Sequence, residues 1–162
     1  MEKISFNKSL VISSPHPYVL VTTIGRDNLP DIIGIGWWSF VSWDPPMVGI
    51  AVGYKRHTFK NLEFLGEFGL CFPTENMKEG ALKAGTISGE GKDMFKVCNF
   101  KKVVSEFIKP PLIHGSKVAY ECKVAEKLDF GDHRFYIAKI VNIWSHDSKE
   151  SILFSMGYNK LI

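Results

Sequence analysis

Long hydrophobic runs are missing from this chain, and the longest apolar stretches, such as residues 47–52, are far too short to cross a bilayer. The first ten residues also lack the apolar run of a secretory signal. Cysteine is scarce: Cys71, Cys98 and Cys122 make an odd set without a C-x-x-C pair, which argues against a disulfide framework and a zinc site. No membrane partner and a reducing, cytoplasmic setting are therefore expected. Charge of one sign is lacking as well. The formal net charge is only +3 and the 20 basic residues are scattered, whereas a nucleic-acid partner calls for a basic stripe along one face. Several motifs are absent too. Gly34-Ile35-Gly36 does not complete a G-x-G-x-x-G fingerprint, and no G-x-S-x-G is present. His57, His114 and His133 have neither the spacing nor the carboxylate company of metal ligands.

What is present is strand signal. The length of 162 residues suits one domain, and no repeat or linker divides it, so residues 1–162 are read as a single unit. Residues 18–24 are β-branched, 25–30 read as a hairpin turn, and 31–40 are expected to return as one partner strand. Further strands are expected at 47–52, 68–72, 117–127 and 134–144, the last apolar on both faces like a central strand. In the strand at 117–127, Cys122 alternates with Val118, Tyr120 and Val124, a core pattern, and Glu121 and Lys123 point the other way. Helical patterns are short. Residues 58–65 begin with Thr58 as N-cap and carry Phe59, Leu62 and Leu65 at helical spacing; 75–84 and 93–97 follow. Six or so strands with a few short helices in the loops indicate an all-β or α+β chain built as an antiparallel barrel, closed or partly closed.

Two clusters carry chemistry. Residues 33–61 hold an aromatic and small-polar segment, then the Asp44-Pro45-Pro46 turn and a strand, and end in Lys55-Arg56-His57-Thr58 where a helix starts. A helix start leaves backbone N–H groups unpaired and favours anions, and Arg56 adds a planar fork suited to phosphate. The plain alternative is a solvated basic loop with an ordinary cap. Trp37 and Trp38 are consecutive, so on a strand they face opposite sides. One fills the core while the other, a ring able to stack on a flat π system, lies outside the barrel or against a partner, or both are core residues beside packing glycines. A glycine loop with Ser88 and Lys92 either closes over a ligand or is simply mobile. His133, in a Gly-Asp-His turn, either faces a reacting ring or is exposed.

Taken in order, Val21-Thr22-Thr23, the run from Trp37 to Val48, Arg56-His57-Thr58, Gly66-Glu67-Phe68-Gly69-Leu70, Ser88-Gly89 with Lys92-Asp93-Met94-Phe95, Tyr120-Glu121-Cys122 and Gly131-Asp132-His133 resemble the flavin reductase-like family, the FMN-binding split barrels. Phe40 stands where the family has proline, and the lysine of the Asp-Lys-Phe element is displaced to Lys92 or Lys96. The resemblance implies an antiparallel split β-barrel and a homodimer with FMN near the subunit interface. It places the ring along Trp37, Trp38, Ser39, Phe40, Val41 and Ser42, and the phosphate at Lys55, Arg56, His57 and Thr58, with Ser88 and Lys92 from the loop. It also implies an oxidoreductase of flavin reductase type, with NAD(P)H as co-substrate, His133 lining the reacting face, and a small molecule or redox protein as electron partner. The alternative is a flavoredoxin-like electron carrier that binds FMN without efficient NAD(P)H oxidation. A barrel that stacks single-stranded nucleic acid on its aromatics is the third reading, and the near-neutral charge counts against it.

Overall fold

The structure, a computed structural model, describes residues 3–157 and 160–162. In chain order its elements are α1 (Phe6–Ile12), β1 (His16–Pro17), β2 (Val19–Ile24), β3 (Pro30–Ile35), β4 (Trp38–Ser42), β5 (Met47–Gly53), α2 (His57–Leu65), β6 (Glu67–Cys71), a 3-10 turn (Glu75–Met77), α3 (Lys78–Thr86), α4 (Met94–Cys98), β7 (Lys102–Val103), β8 (Leu112–Ile113), β9 (Val118–Phe130), β10 (His133–Ser145) and β11 (Phe154–Ser155). Seven strands form one antiparallel sheet in the order β3-β2-β6-β9-β10-β5-β4. The expected strands at 18–24, 47–52, 68–72, 117–127 and 134–144 are all there, and β10 is interior as its two-sided apolar pattern requires.

The strand expected over 31–40 is the correction. It is two strands, broken at Gly36 and Trp37, and its halves lie at opposite edges of the sheet. β3 pairs with β2, while β4 pairs with β5. Because only Gly36 and Trp37 join the two edges, and a chain spans at most ~3.3–3.6 Å per residue, the sheet must curl until its edges nearly meet. They do not pair, so the barrel is split at that seam.

Burial follows from this curl. Inside it sit Val21, Ile35, Val48, Ile50, Phe68, Leu70, Cys122 and Tyr136. On the outer side of β2 and β3, helices α3 and α4 cover a second core containing Tyr18, Leu20, Ile32, Ala84, Met94 and Phe95. β2 is therefore buried at every position, which explains its unbroken β-branched and apolar run. α4 begins where expected, its N-cap Asp93 accepting from the Phe95 N–H at 3.0 Å.

Helix α2 starts differently from expectation. Its N-cap is Arg56, and Thr58 lies inside the first turn with its hydroxyl donating to Asp31 Oδ2 at 2.6 Å. A buried carboxylate on β3 thus outcompetes the helix's own N–H groups for that side chain. One turn on, Asn61 Nδ2 donates to Thr23 Oγ1 at 3.1 Å, and Gly66 ends the helix in the left-handed conformation that glycine tolerates. These two side-chain bonds fix the start of α2 against the β2–β3 hairpin.

Glu121 lies on the face away from Cys122, as the alternation requires, but the chain covers that face. It is fully buried, and its carboxylate accepts from five donors: the N–H groups of Glu106, Phe107 and Ile108, Asn142 Nδ2 and Trp144 Nε1, at 2.6–3.2 Å. It ties the 105–108 segment to β9 and β10.

Candidate functional site

A cleft of about 520 Å³ opens at the barrel seam. The 33–37 backbone forms its floor, with Ala51, Val52 and Gly53 of β5 alongside. Phe6, Asn7 and Leu10 of α1 form the facing wall, with His16, Ser155, Gly157 and Leu161. A smaller annex of about 80 Å³ continues from it and is lined by Asp31, Lys55, Arg56, His57, Thr58, Ala84, Ser88 and Gly89, among others. Ile33, Arg56 and Gly85 line both spaces, so the wide and narrow parts of this channel adjoin, with Arg56 on their shared border.

The wide end is aromatic. The rings of Trp37 and His133 lie with centroids 5.0 Å apart, tilted by 42°. His133 Nδ1 is 2.6 Å from Asp132 Oδ1. An ionised carboxylate only accepts, so Nδ1 carries the proton there and Nε2 remains for the cleft. A side chain at Gly53 would begin 3.4 Å from that Nε2, so the bare backbone keeps the approach to the imidazole open. Tyr18 closes the floor: a Cβ at Gly34 would fall 1.6 Å from its hydroxyl, which donates to Ala81 O at 3.3 Å. Only glycine at 34 leaves room for that ring.

The narrow end is cationic with one exception. Lys55 and Arg56 flank the start of α2, whose first N–H groups precede the helical ladder. His57 Nδ1 is buried without a hydrogen-bond partner among the described residues. Opposite stands Asp31, 2% exposed, its carboxyl raised from the ordinary value chiefly by burial, with the Thr58 hydroxyl and nearby His57 pulling against that shift. The loop after α3 comes close here, since a Cβ at Gly89 would fall 1.9 Å from Asp31 Oδ1. Lys60 pairs with Glu90 at 2.9 Å and ties that loop to α2.

The structure therefore brings Trp37, His133, Lys55, Arg56, His57, Thr58 and Ser88 around one channel. It separates the two tryptophans. Trp38 turns away, donating Nε1–H to Pro17 O at 3.1 Å and packing edge-on against Phe72 and Phe40. Ser39, Phe40, Val41 and Ser42 lie on the edge strand β4 and line neither space. Lys92 lines neither, and its ammonium donates to Ser88 O at 3.2 Å. Asp31, Tyr18 and the α1 wall were missed from the sequence. Asp31 left one trace: a charged residue opening an otherwise apolar strand, Ile32-Ile33-Gly34-Ile35.

Channel shape and chemistry suit a flat ring at the wide end and an anion at the narrow one. The ring end has an aromatic wall and a glycine-stripped floor, and the anion end has two cations, a helix start and an orphaned imidazole nitrogen.

The flavin reductase like domain model matches residues 12–160. An uncharacterized protein of Pyrococcus abyssi is 31% identical over 124 residues, 76% of this chain and 70% of that protein. The crystal structure of a flavoredoxin from Methanosarcina acetivorans superposes with a TM-score of 0.84 and 26% identity, over 100% of this chain and 91% of that one. An NADH:FAD oxidoreductase of Streptomyces globisporus shares the fold, with a TM-score of 0.85, 19% identity, and coverage of 100% and 96%. The chain belongs to the flavin reductase-like family.

Proposed function

We propose that this member of the flavin reductase-like family binds FMN in the seam channel and acts as an NAD(P)H-dependent, flavin reductase-type oxidoreductase. One observation carries the reading: the aromatic end at Trp37 and His133 adjoins the cationic end at Lys55–Arg56–His57, with Arg56 lining both. The bound flavin would supply the redox chemistry, taking up and releasing electrons on its ring.

The chain's own residues would bind and orient. Arg56 and Lys55, with the first N–H groups of α2, would hold the phosphate. Trp37 would wall the ring, and His133 would accept a hydrogen bond through Nε2, its ring oriented by Asp132. Ser39, Phe40, Val41 and Ser42 fit a different role. Their strand follows directly on Trp37, and Phe40, Val41 and the 95%-exposed Trp43 each leave apolar surface exposed at the sheet edge. A second copy covering this edge would bring those residues near the ring end, as a homodimer with FMN near its interface requires.

Anaerobic stopped-flow mixing with NADH and NADPH tests the reading. Protein-bound FMN should bleach well above the rate of free FMN with at least one of them. Equal rates with both would remove the reductase and leave the electron carrier, which the likeness to the Methanosarcina flavoredoxin favours; that carrier would keep its FMN through gel filtration.

The two tryptophans should separate cleanly. Trp37→Ala weakens FMN binding by about 1 kcal/mol, the scale of an aromatic contact, with its unfolding curve unchanged. Trp38→Ala instead lowers stability by about 2–3 kcal/mol, less than a full core truncation because Trp38 is only partly buried. Urea unfolding followed by circular dichroism and a flavin-fluorescence titration read both outcomes.

A further inference from the structure

Asp31 is out of place in an anion site. It lines the annex together with Lys55, Arg56, His57 and Thr58, yet it carries a charge of the same sign as the ligand proposed for that space. The carboxylate cannot turn away. It is 2% exposed, Oδ2 is held by the Thr58 hydroxyl at 2.6 Å, and the Gly89 backbone presses on Oδ1 so closely that only glycine fits. The same bond disarms Thr58. A hydroxyl has one proton, and this one points at Asp31, so Thr58 has none left to donate to a phosphate oxygen. The narrow end thus sets two cations and a helix start against one buried carboxylate and one committed hydroxyl.

We propose that Asp31 is a specificity-determining residue of the channel: its carboxylate opposes a phosphate monoester dianion and keeps phosphate-bearing flavins loosely held and exchangeable. The inference rests on the flavin reading above and sharpens it. A flavin that leaves readily is a substrate that carries electrons away, and a flavin that stays is a prosthetic group, so Asp31 favours the reductase over the carrier. Like charges a few ångströms apart in a partly desolvated site shift ionic equilibria by roughly one to three powers of ten. The effect on affinity should sit at the lower end of that range, because Arg56 and Lys55 offset it.

The test compares FMN with riboflavin, which has the same ring and ribityl chain without the phosphate. Dissociation constants are measured at neutral pH by flavin-fluorescence quenching for the full wild-type chain and for Asp31→Asn, whose amide oxygen still accepts from Thr58 while its NH2 can donate to phosphate. Asp31→Asn is expected to leave riboflavin affinity within about twofold and to tighten FMN about tenfold, raising the FMN-to-riboflavin preference by that factor. An unchanged or lowered preference overturns the inference and leaves the flavin reading standing. If neither flavin binds the wild type or the variant, the flavin reading falls and takes this inference with it. Should Asp31→Asn not fold, as judged by circular dichroism, Asp31→Ser, which also removes the negative charge, is held to the same preference.

Discussion

Arg56→Ala lowers the affinity for FMN by about 1.5–3 kcal/mol, the usual size of a hydrogen bond to a charged group, and lowers that for riboflavin much less. The asymmetry follows from where Arg56 lies. It lines both the wide cleft and the annex, on the border between the proposed ring and phosphate ends. The substitution should leave the helix start intact, since what Arg56 contributes there is backbone: its N–H donates to Gly53 O at 3.0 Å and its carbonyl accepts from Phe59 N–H at 3.1 Å. Arg56→Lys keeps the charge but loses the planar fork, so its affinity should fall between wild type and alanine. Unchanged FMN affinity in a fluorescence titration of Arg56→Ala would take that residue out of the site.

A large effect on stability is expected at Glu121, far from the channel's chemistry. Glu121→Ala removes the acceptor of five donors, three of them backbone N–H groups of the 105–108 segment and most of them half-buried. Stability should fall by about 2–3 kcal/mol, because several charge-assisted bonds to one buried carboxylate are lost together and the Ile108 N–H is left buried without its acceptor. Urea denaturation measures it, and a loss under about 0.5 kcal/mol would mean that water re-pairs those donors. The same carboxylate shapes the acid limb. Burial by itself would raise its pKa, but the backbone N–H groups, Trp144 and Asn142 together hold it below the ordinary glutamate value. A group with a depressed folded-state pKa contributes stability that is fully present above its unfolded pKa and lost as pH falls through the folded one. Glu121→Gln should therefore flatten the decline in stability below about pH 4.3 while lowering the plateau at neutral pH.

Local pattern carried much of this protein. The β-branched run before the Gly25–Pro30 turn, the alternation around Cys122 and the apolar stretch from Arg134 each named a strand that is there, because side-chain period and burial are properties of a few adjacent residues. The cationic end was legible for the same reason: Lys55, Arg56 and His57 are neighbours in the chain and sit at a helix start. Phe59, Leu62 and Leu65 at helical spacing bounded that helix to within a residue or two.

What escaped the sequence depends on groups far apart along the chain. Nothing local says that the run from Asp31 to Phe40 breaks at Gly36 and sends β4 to the opposite edge, since that depends on pairing with β5. Nothing local tells Trp37 from Trp38, because the seam decides which ring faces the channel and which one meets Phe72. Thr58 has the composition of a cap and became instead the partner of a carboxylate 27 residues away. Alternation put Glu121 on the face away from Cys122, and nothing local says that a loop wraps its amides around it there. Sequence determined the strands, the short helices and the cationic helix start through periodicity and turn chemistry. Tertiary structure alone decided the split seam, the face each tryptophan presents and the company each buried carboxylate keeps, because desolvation and long-range hydrogen bonds exist only once distant segments meet.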